Sequence, residues 1–224
     1  MSRMMIISAA VAAIGLGAYF VTSPGSNTVT PADPLGAANA QEAGDIDTSS
    51  IVEMTMGNAD APVTFIEYAS YTCPHCARFH EGPFKQLKAD YIDTGKVNFI
   101  YREVYFDRYG IWASMIARCA GTPDAFFGVS DLVYENQSTW ARAGEPAAIA
   151  NELRKIGLLA GLDQQTLETC LQDGDKAQTL VAWYQANAAA DGIDSTPSFV
   201  INGQKYNNMS YPELAALLDE AAGE

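Results

Sequence analysis

The chain has 224 residues, 48% apolar and 18% charged, a composition that supports one sizeable core and excludes both a disordered polymer and two independent domains. Its formal net charge of -14 repels phosphate backbones, and no run of Lys or Arg offsets it locally, so nucleic acid is excluded as a partner.

Met1 to Arg3 carries one positive charge and Met4 to Val21 is an uninterrupted uncharged run, so residues 1–22 read as an export signal. Ala38-Asn39-Ala40 fits the small-x-small rule for cleavage but lies far beyond the apolar run. Eighteen residues at about 1.5 Å each reach about 27 Å, so an uncleaved signal anchor stays open beside the favoured reading, a cleaved signal peptide. Either form delivers the remainder to an oxidising compartment where disulfides persist. Residues 23–50, rich in Pro, Gly, Ser, Thr, Asn and Ala without apolar period, read as a flexible linker.

The folded part is expected over residues 51–224. "IVEMTMG" and "PVTFIEYAS" read as strands. Pro74 suits the first turn of a helix running through Phe79, Phe84 and Leu87 to about Tyr91, stopped by "DTG", and "KVNFIYREV" is a third strand. From about 107 to 192 the pattern is helical. Ile111, Trp112, Met115, Ile116 and Cys119 keep helical spacing up to Gly121; Pro146 opens a helix with Ile149, Leu153 and Ile156; Asp163 caps one carrying Leu167, Cys170 and Leu171; a longer one runs from about Asp175 to Ala190. "PSFVING" then gives a strand with an Asn202-Gly203 hairpin, a return strand through Tyr206, and an end helix with Leu214, Leu217 and Leu218.

The chemistry centres on Cys73-Pro74-His75-Cys76. Haem attachment requires a histidine after the second cysteine, and Ala77 stands there. Zinc requires four ligands; Cys73, Cys76 and His80 supply three, and a fourth must come from His75 inside the pair or from distant Cys119 or Cys170. A structural clip over so short a loop removes little chain entropy. The redox reading has a positive argument. With Pro74 at the first helical position, Cys73 lies at a helix N-terminus, where unpaired amide donors and the helix dipole stabilise a thiolate. His75 can add a donor or a charge near that sulfur. Cys73 is then the attacked and attacking thiol, and Cys76, a turn deeper, resolves the mixed disulfide. Glu67, six residues earlier on an apolar strand, is either a buried carboxyl that exchanges a proton with Cys76 or a strand-edge glutamate satisfied by a basic neighbour. Thr196-Pro197 before a strand admits a cis bond.

These residues, in β-α-β, helical block, β-β-α order, resemble the DsbA-type thiol:disulfide oxidoreductases of bacterial periplasms from about Ile51 to Ala222. The resemblance implies an α/β thioredoxin fold, a central mixed sheet with an inserted helical subdomain, whose late proline is cis and faces the dithiol. Carried over by position, Cys73 is the nucleophile, Cys76 the resolving thiol, His75 the thiolate stabiliser, Glu67 the buried acid and Pro197 the substrate-groove proline. Thr196 pairs its backbone with an extended client. One departure is Thr196 itself, where the best-known oxidase of the family has valine; a hydroxyl there retunes potential or client choice. Cys119 and Cys170 fall on apolar helix faces and read either as two buried thiols or, favoured in an exported chain with four cysteines, as a structural disulfide.

The expected function is an exported, periplasmic, monomeric oxidase that donates its Cys73-Cys76 disulfide to reduced client proteins, with neither metal nor other cofactor, and the resemblance implies a DsbB-like quinone-linked membrane protein as reoxidant. The rivals are an isomerase or reductase of the same fold and a non-catalytic zinc-stabilised adaptor.

Overall fold

The computed structural model describes residues 46–223; the signal or anchor over 1–22, the Ala38-Asn39-Ala40 site and most of the linker lie outside the described residues. Five strands, β1 (Met54–Gly57), β2 (Val63–Ala69), β3 (Val97–Glu103), β4 (Ser198–Ile201) and β5 (Gln204–Asn207), form one sheet in the order β1-β3-β2-β4-β5. β2 and β3 run parallel and every other pair is antiparallel. The parallel pair requires a crossover, which the helix after Cys73 supplies. Asn202 (φ 46°) and Gly203 (φ 85°) turn β4 into β5 through the two left-handed residues that a tight hairpin demands. The Asn202 side chain also accepts from the Thr64 N–H at 2.9 Å, tying the turn to β2.

The crossover helix differs from the sequence expectation. One helix from Pro74 to about Tyr91 is instead α1 (Pro74–Glu81), α2 (Pro83–Leu87) and a π-helical turn (Lys88–Ile92). Pro83 has no N–H to give the preceding turn, and the chain breaks at Gly82. The break lets both pieces bury an aromatic side chain, Phe79 from α1 and Phe84 from α2, their rings 6.2 Å apart.

Between β3 and β4 lies the helical insertion: α3 (Arg108–Cys119), α4 (Pro123–Glu135), α5 (Gln137–Trp140), α6 (Pro146–Leu159), α7 (Gln164–Leu171) and α8 (Gly174–Ala190). The sequence reading names no helix at 123–140. Its start carried a signal, Thr122 before Pro123: the Thr122 hydroxyl accepts the Ala125 N–H at 3.3 Å and Pro123 occupies the first turn. Mid-helix Gly157 of α6 marks a close approach, since a Cβ there would sit 2.4 Å from Leu167 of α7. The last helix, α9 (Tyr211–Ala222), opens with a Ser210–Glu213 capping box.

One continuous core joins the sheet face bearing Val63, Phe65 and Phe99 to α1, the insertion and α9. A smaller cluster of Tyr68, Val104 and Val200, with Tyr184 of α8, covers the other face. The architecture is the expected α/β mixed sheet with a helical insertion.

Cys119 at the end of α3 and Cys170 in α7 are joined, S–S 1.94 Å, across 51 residues. A loop of that length contributes about 4 kcal/mol in the chain-entropy account. The double variant Cys119→Ala/Cys170→Ala is expected to lose about that much unfolding free energy in denaturant melts while the dithiol keeps its equilibrium with glutathione. A changed dithiol equilibrium would show that the bridge acts on the active site as well.

Candidate active site

Cys73 is the N-cap of α1, with φ -84° and ψ 118°, and Pro74 begins the helix. No side chain caps this end, so the first-turn amides turn to the sulfur. The loop before it is braced. The Cys73 N–H donates to Ser70 O at 3.1 Å, and the Thr72 hydroxyl donates to Asp107 at 2.9 Å. Asp107 in turn accepts the Tyr109 and Gly110 N–H groups and so caps α3. From α5, Gln137 donates to the carbonyls of Tyr71 at 2.7 Å and Cys73 at 3.0 Å. Asp107 and Gln137 are functional supports that the sequence reading missed. An aspartate before a helical run is a cap signal in its own right, whereas Gln137 meets the loop only through tertiary folding.

The exposed helix end expected for Cys73 is partly covered: the residue is 8% exposed and Cys76 is wholly buried, while Pro74 and His75 face solvent. The cover is the loop before β4. Its Thr196–Pro197 bond is cis, and Thr196 O accepts the Cys73 S–H with S···O 3.4 Å. The Thr196 hydroxyl is buried without a hydrogen-bond partner. A carbonyl cannot stabilise a sulfur anion, but that hydroxyl is at hand to donate to one.

The two thiols, unbridged here, are driven apart in acidity. Cys73 is pulled down from 9.0 to about 5, first by the hydrogen bond from the Cys76 thiol, then by Thr196 and the backbone N–H groups of Cys76 and His75, against the opposing effect of burial. Cys76 is pushed far up, chiefly by burial, then by the hydrogen bond and charge of Cys73 and the charge of Glu67. At pH 7 a thiol of pKa about 5 is ionised by roughly a hundred to one. One sulfur is thus a standing anion and the other a standing thiol.

His75 reaches Cys73 through its backbone, and its ring is turned elsewhere. Arg78, one turn on, donates to His75 Nδ1 at 2.8 Å. A guanidinium has donors only, so Nδ1 accepts and Nε2 carries the ring proton.

Glu67 is wholly buried on β2, a central strand, facing inward with Val63 and Phe65. The strand-edge reading is thereby corrected: strand alternation turns Glu67 beneath α1. Its neighbour is His80, the histidine weighed above as a zinc ligand. Both Glu67 oxygens lie 3.1 Å from His80 Nε2, and Oε1 has hydrogen-bonding geometry. His80 is 5% exposed and stacks on Tyr134 of α4, ring centroids 4.3 Å apart. Tyr134 and Tyr101 share a hydrogen bond of 2.6 Å, and Tyr71 and Ser130 another of 2.6 Å. Among the described residues no group of three or more His, Cys, Asp or Glu is placed to hold a metal ion.

A dithiol split in acidity at a helix start, facing a cis proline on a mixed sheet, defines the thioredoxin-fold class of dithiol proteins. Residues 49–220 match the family model described as Thioredoxin, and the chain belongs to that family, in its DsbA-like branch. It is similar to alpha-DsbA1 of Wolbachia pipientis, whose crystal structure superposes with a TM-score of 0.71 at 27% identity over 76% of this chain and 91% of that one. It is 34% identical over 172 residues to the Rickettsia bellii protein named "Putative protein-disulfide oxidoreductase", covering 77% of this chain and 65% of that protein's length. A crystal structure of a protein-disulfide isomerase from Novosphingobium aromaticivorans matches with a TM-score of 0.66 at 26% identity, over 75% of this chain and 97% of that one.

Proposed function

We propose that the chain is an exported thiol:disulfide oxidant that transfers the Cys73-Cys76 disulfide to reduced client proteins in the periplasm. The observation that carries the reading is the placement of the pair, Cys73 at the uncapped start of α1 and Cys76 wholly buried beneath it, which drives the two sulfurs apart in acidity. A client thiolate attacks Cys73 Sγ; the Cys73–Cys76 bond breaks and Cys76 leaves, taking a proton. A second client thiolate attacks the client sulfur of the mixed disulfide, and Cys73 leaves as a stable anion. The client is oxidised by two electrons and the dithiol reduced by two. A leaving thiol of low pKa speeds the second step and stabilises the reduced product, which makes the bridged form oxidising.

Cys73 is the nucleophile, Cys76 the resolving thiol, and Pro74 sets the helix start. The backbone at Thr196 and Pro197, beside the sulfur, receives an extended client segment by strand addition. Regeneration requires an external oxidant of the reduced dithiol, for which the family resemblance supports a DsbB-like quinone-linked membrane protein. Among the described residues no helix is long and apolar enough to cross a membrane. The export reading therefore rests on the sequence of residues 1–22 and on the DsbA-like relatives.

An isomerase is the second reading, favoured by the likeness to the Novosphingobium protein named as one. Equilibration against glutathione separates oxidant from reductant, and scrambled ribonuclease with sedimentation reads isomerase activity and oligomeric state. The expected result is a monomer with an oxidising potential, about -180 to -120 mV, and little reshuffling. A potential near about -270 mV, or a dimer that reshuffles strongly, would reverse the ranking.

A further inference from the structure

Cys76 is sealed from solvent, yet each catalytic cycle must deliver a proton to it and later remove one. Cys73 is only 8% exposed and is covered by the client during exchange, so the front of the site is a poor route. The structure offers another at the back. Glu67, whose charge acts on Cys76, has its carboxylate against His80 Nε2, and Glu67 Oε2 is buried without a hydrogen-bond partner. His80 Nδ1 is likewise buried and unpartnered. A buried imidazole nitrogen left unsatisfied is costly and calls for an explanation.

That explanation lies on the far side of the ring. His80 lines a cleft of about 10 Å³, room for one water, whose other walls are Glu81, Lys85, Asp131, Tyr134 and Glu135. With Nε2 committed to Glu67, Nδ1 is the ring atom left to meet a water there. Three carboxylates and one ammonium surround this opening: Glu81 from α1 itself, Lys85 from α2, and Asp131 and Glu135 from α4. Asp131, raised by burial, interacts with the His80 charge, so it can receive and return protons at the mouth. The stack on Tyr134 holds the imidazole plane between the two sides.

We propose that His80 is the proton relay of the active site, connecting Glu67 and Cys76 to solvent through the Asp131 cleft. When a client thiolate displaces Cys76, the Cys76 anion takes a proton from the Glu67–His80 pair. His80 recovers that proton at Nδ1 from cleft water. On reoxidation the proton leaves by the same path in reverse, so the pair returns to its starting charge. In this relay His80 acts through Glu67, whose carboxylate lies 3.1 Å from its Nε2. This inference rests on the dithiol-exchange reading above.

The chain's two histidines make the test direct, because ¹⁵N-histidine labelling of the whole protein gives the signals of His75 and His80 alone, assigned with His75→Ser. Comparing oxidised and reduced protein between pH 5 and 8, the His80 nitrogen shifts are expected to show the ring proton on different nitrogens in the two redox states, at the same net charge of the Glu67–His80 pair; identical His80 shifts would overturn the proposal. His80→Gln keeps an amide donor toward Glu67 but cannot relay. It is expected to slow client oxidation about tenfold and to flatten its pH dependence over the same range, with added imidazole restoring part of the rate. An unchanged rate and pH profile would likewise overturn the relay, while a variant that fails to fold leaves the wild-type spectra to decide. If wild-type protein oxidises clients and His80→Gln matches it, the relay alone falls. If wild-type protein oxidises no client, the functional reading falls, and the two failures are distinguishable.

Discussion

Cys73→Ser is expected to lower the rate of client oxidation by about a thousandfold or more, and Cys76→Ser, whose Cys73 thiolate attacks a disulfide-bearing client and displaces one client thiol, to capture that client as a stable mixed disulfide. The asymmetry follows from position. Cys73, at the open end of α1, is the one sulfur of the pair that an incoming thiolate can meet, whereas Cys76 is wholly enclosed beneath it. Without Cys76 the mixed disulfide has no internal rival to resolve it, so the trapped adduct accumulates. Removing Cys73 leaves a buried thiol held protonated and unable to attack. Stopped-flow oxidation of a reduced client measures the loss, and mass spectrometry measures the adduct. Retained oxidation by Cys73→Ser, or an adduct on Cys76, would remove Cys73 from the nucleophile's place.

A second large effect concerns stability. The free energy of unfolding of the reduced protein, relative to the oxidised one, is expected to rise by about 3 kcal/mol between pH 4 and pH 7. Cys73 has a folded value of about 5 against an ordinary thiol value of 9.0, so its folded pKa is depressed. Its contribution is fully present above the unfolded value, shrinks as pH falls, and is gone below about 5. At pH 7, midway, roughly half of it remains. Only the reduced form carries it, because a bridged sulfur does not ionise, and groups common to both forms cancel in the difference. Above about pH 9 Cys76 opposes the trend: its folded pKa is raised, so the unfolded thiol ionises where the folded one does not. Urea melts of both forms at the two pH values supply the check. A difference that does not move with pH would mean that Cys73 is an ordinary thiol in the folded state.

Local patterns carried the sheet and the dithiol, and failed where partners are distant in sequence. β2, β3 and the β4–β5 hairpin were readable because alternation, β-branching and Asn202-Gly203 are local signals. Pro74 gave the start of α1 for the same reason. The break at Gly82-Pro83 was written in the sequence too, but the apolar spacing through Phe79, Phe84 and Leu87 masked it. Helix α4 went unnamed although Thr122-Pro123 announces it. With it went Ser130 and Tyr134, which supply the hydrogen bond to Tyr71 and the ring against His80. Burial of Glu67 was one of two readings, because strand alternation gives its face but not what lies above that face. The pairing of Glu67 with His80 joins β2 to α1 over 13 residues and depends on the depth of both in the core. Gln137 is further still, 64 residues from the Cys73 carbonyl it holds, and no periodicity reports such a contact.

The central claim is that the fold holds the Cys73 sulfur as an anion at neutral pH. Titrating the reduced protein while following the rate of alkylation of Cys73, or thiolate absorbance in the ultraviolet, measures this directly. The account predicts a midpoint at about 5. A midpoint near the ordinary thiol value of 9.0 would contradict it, and with it the oxidising role drawn from the site.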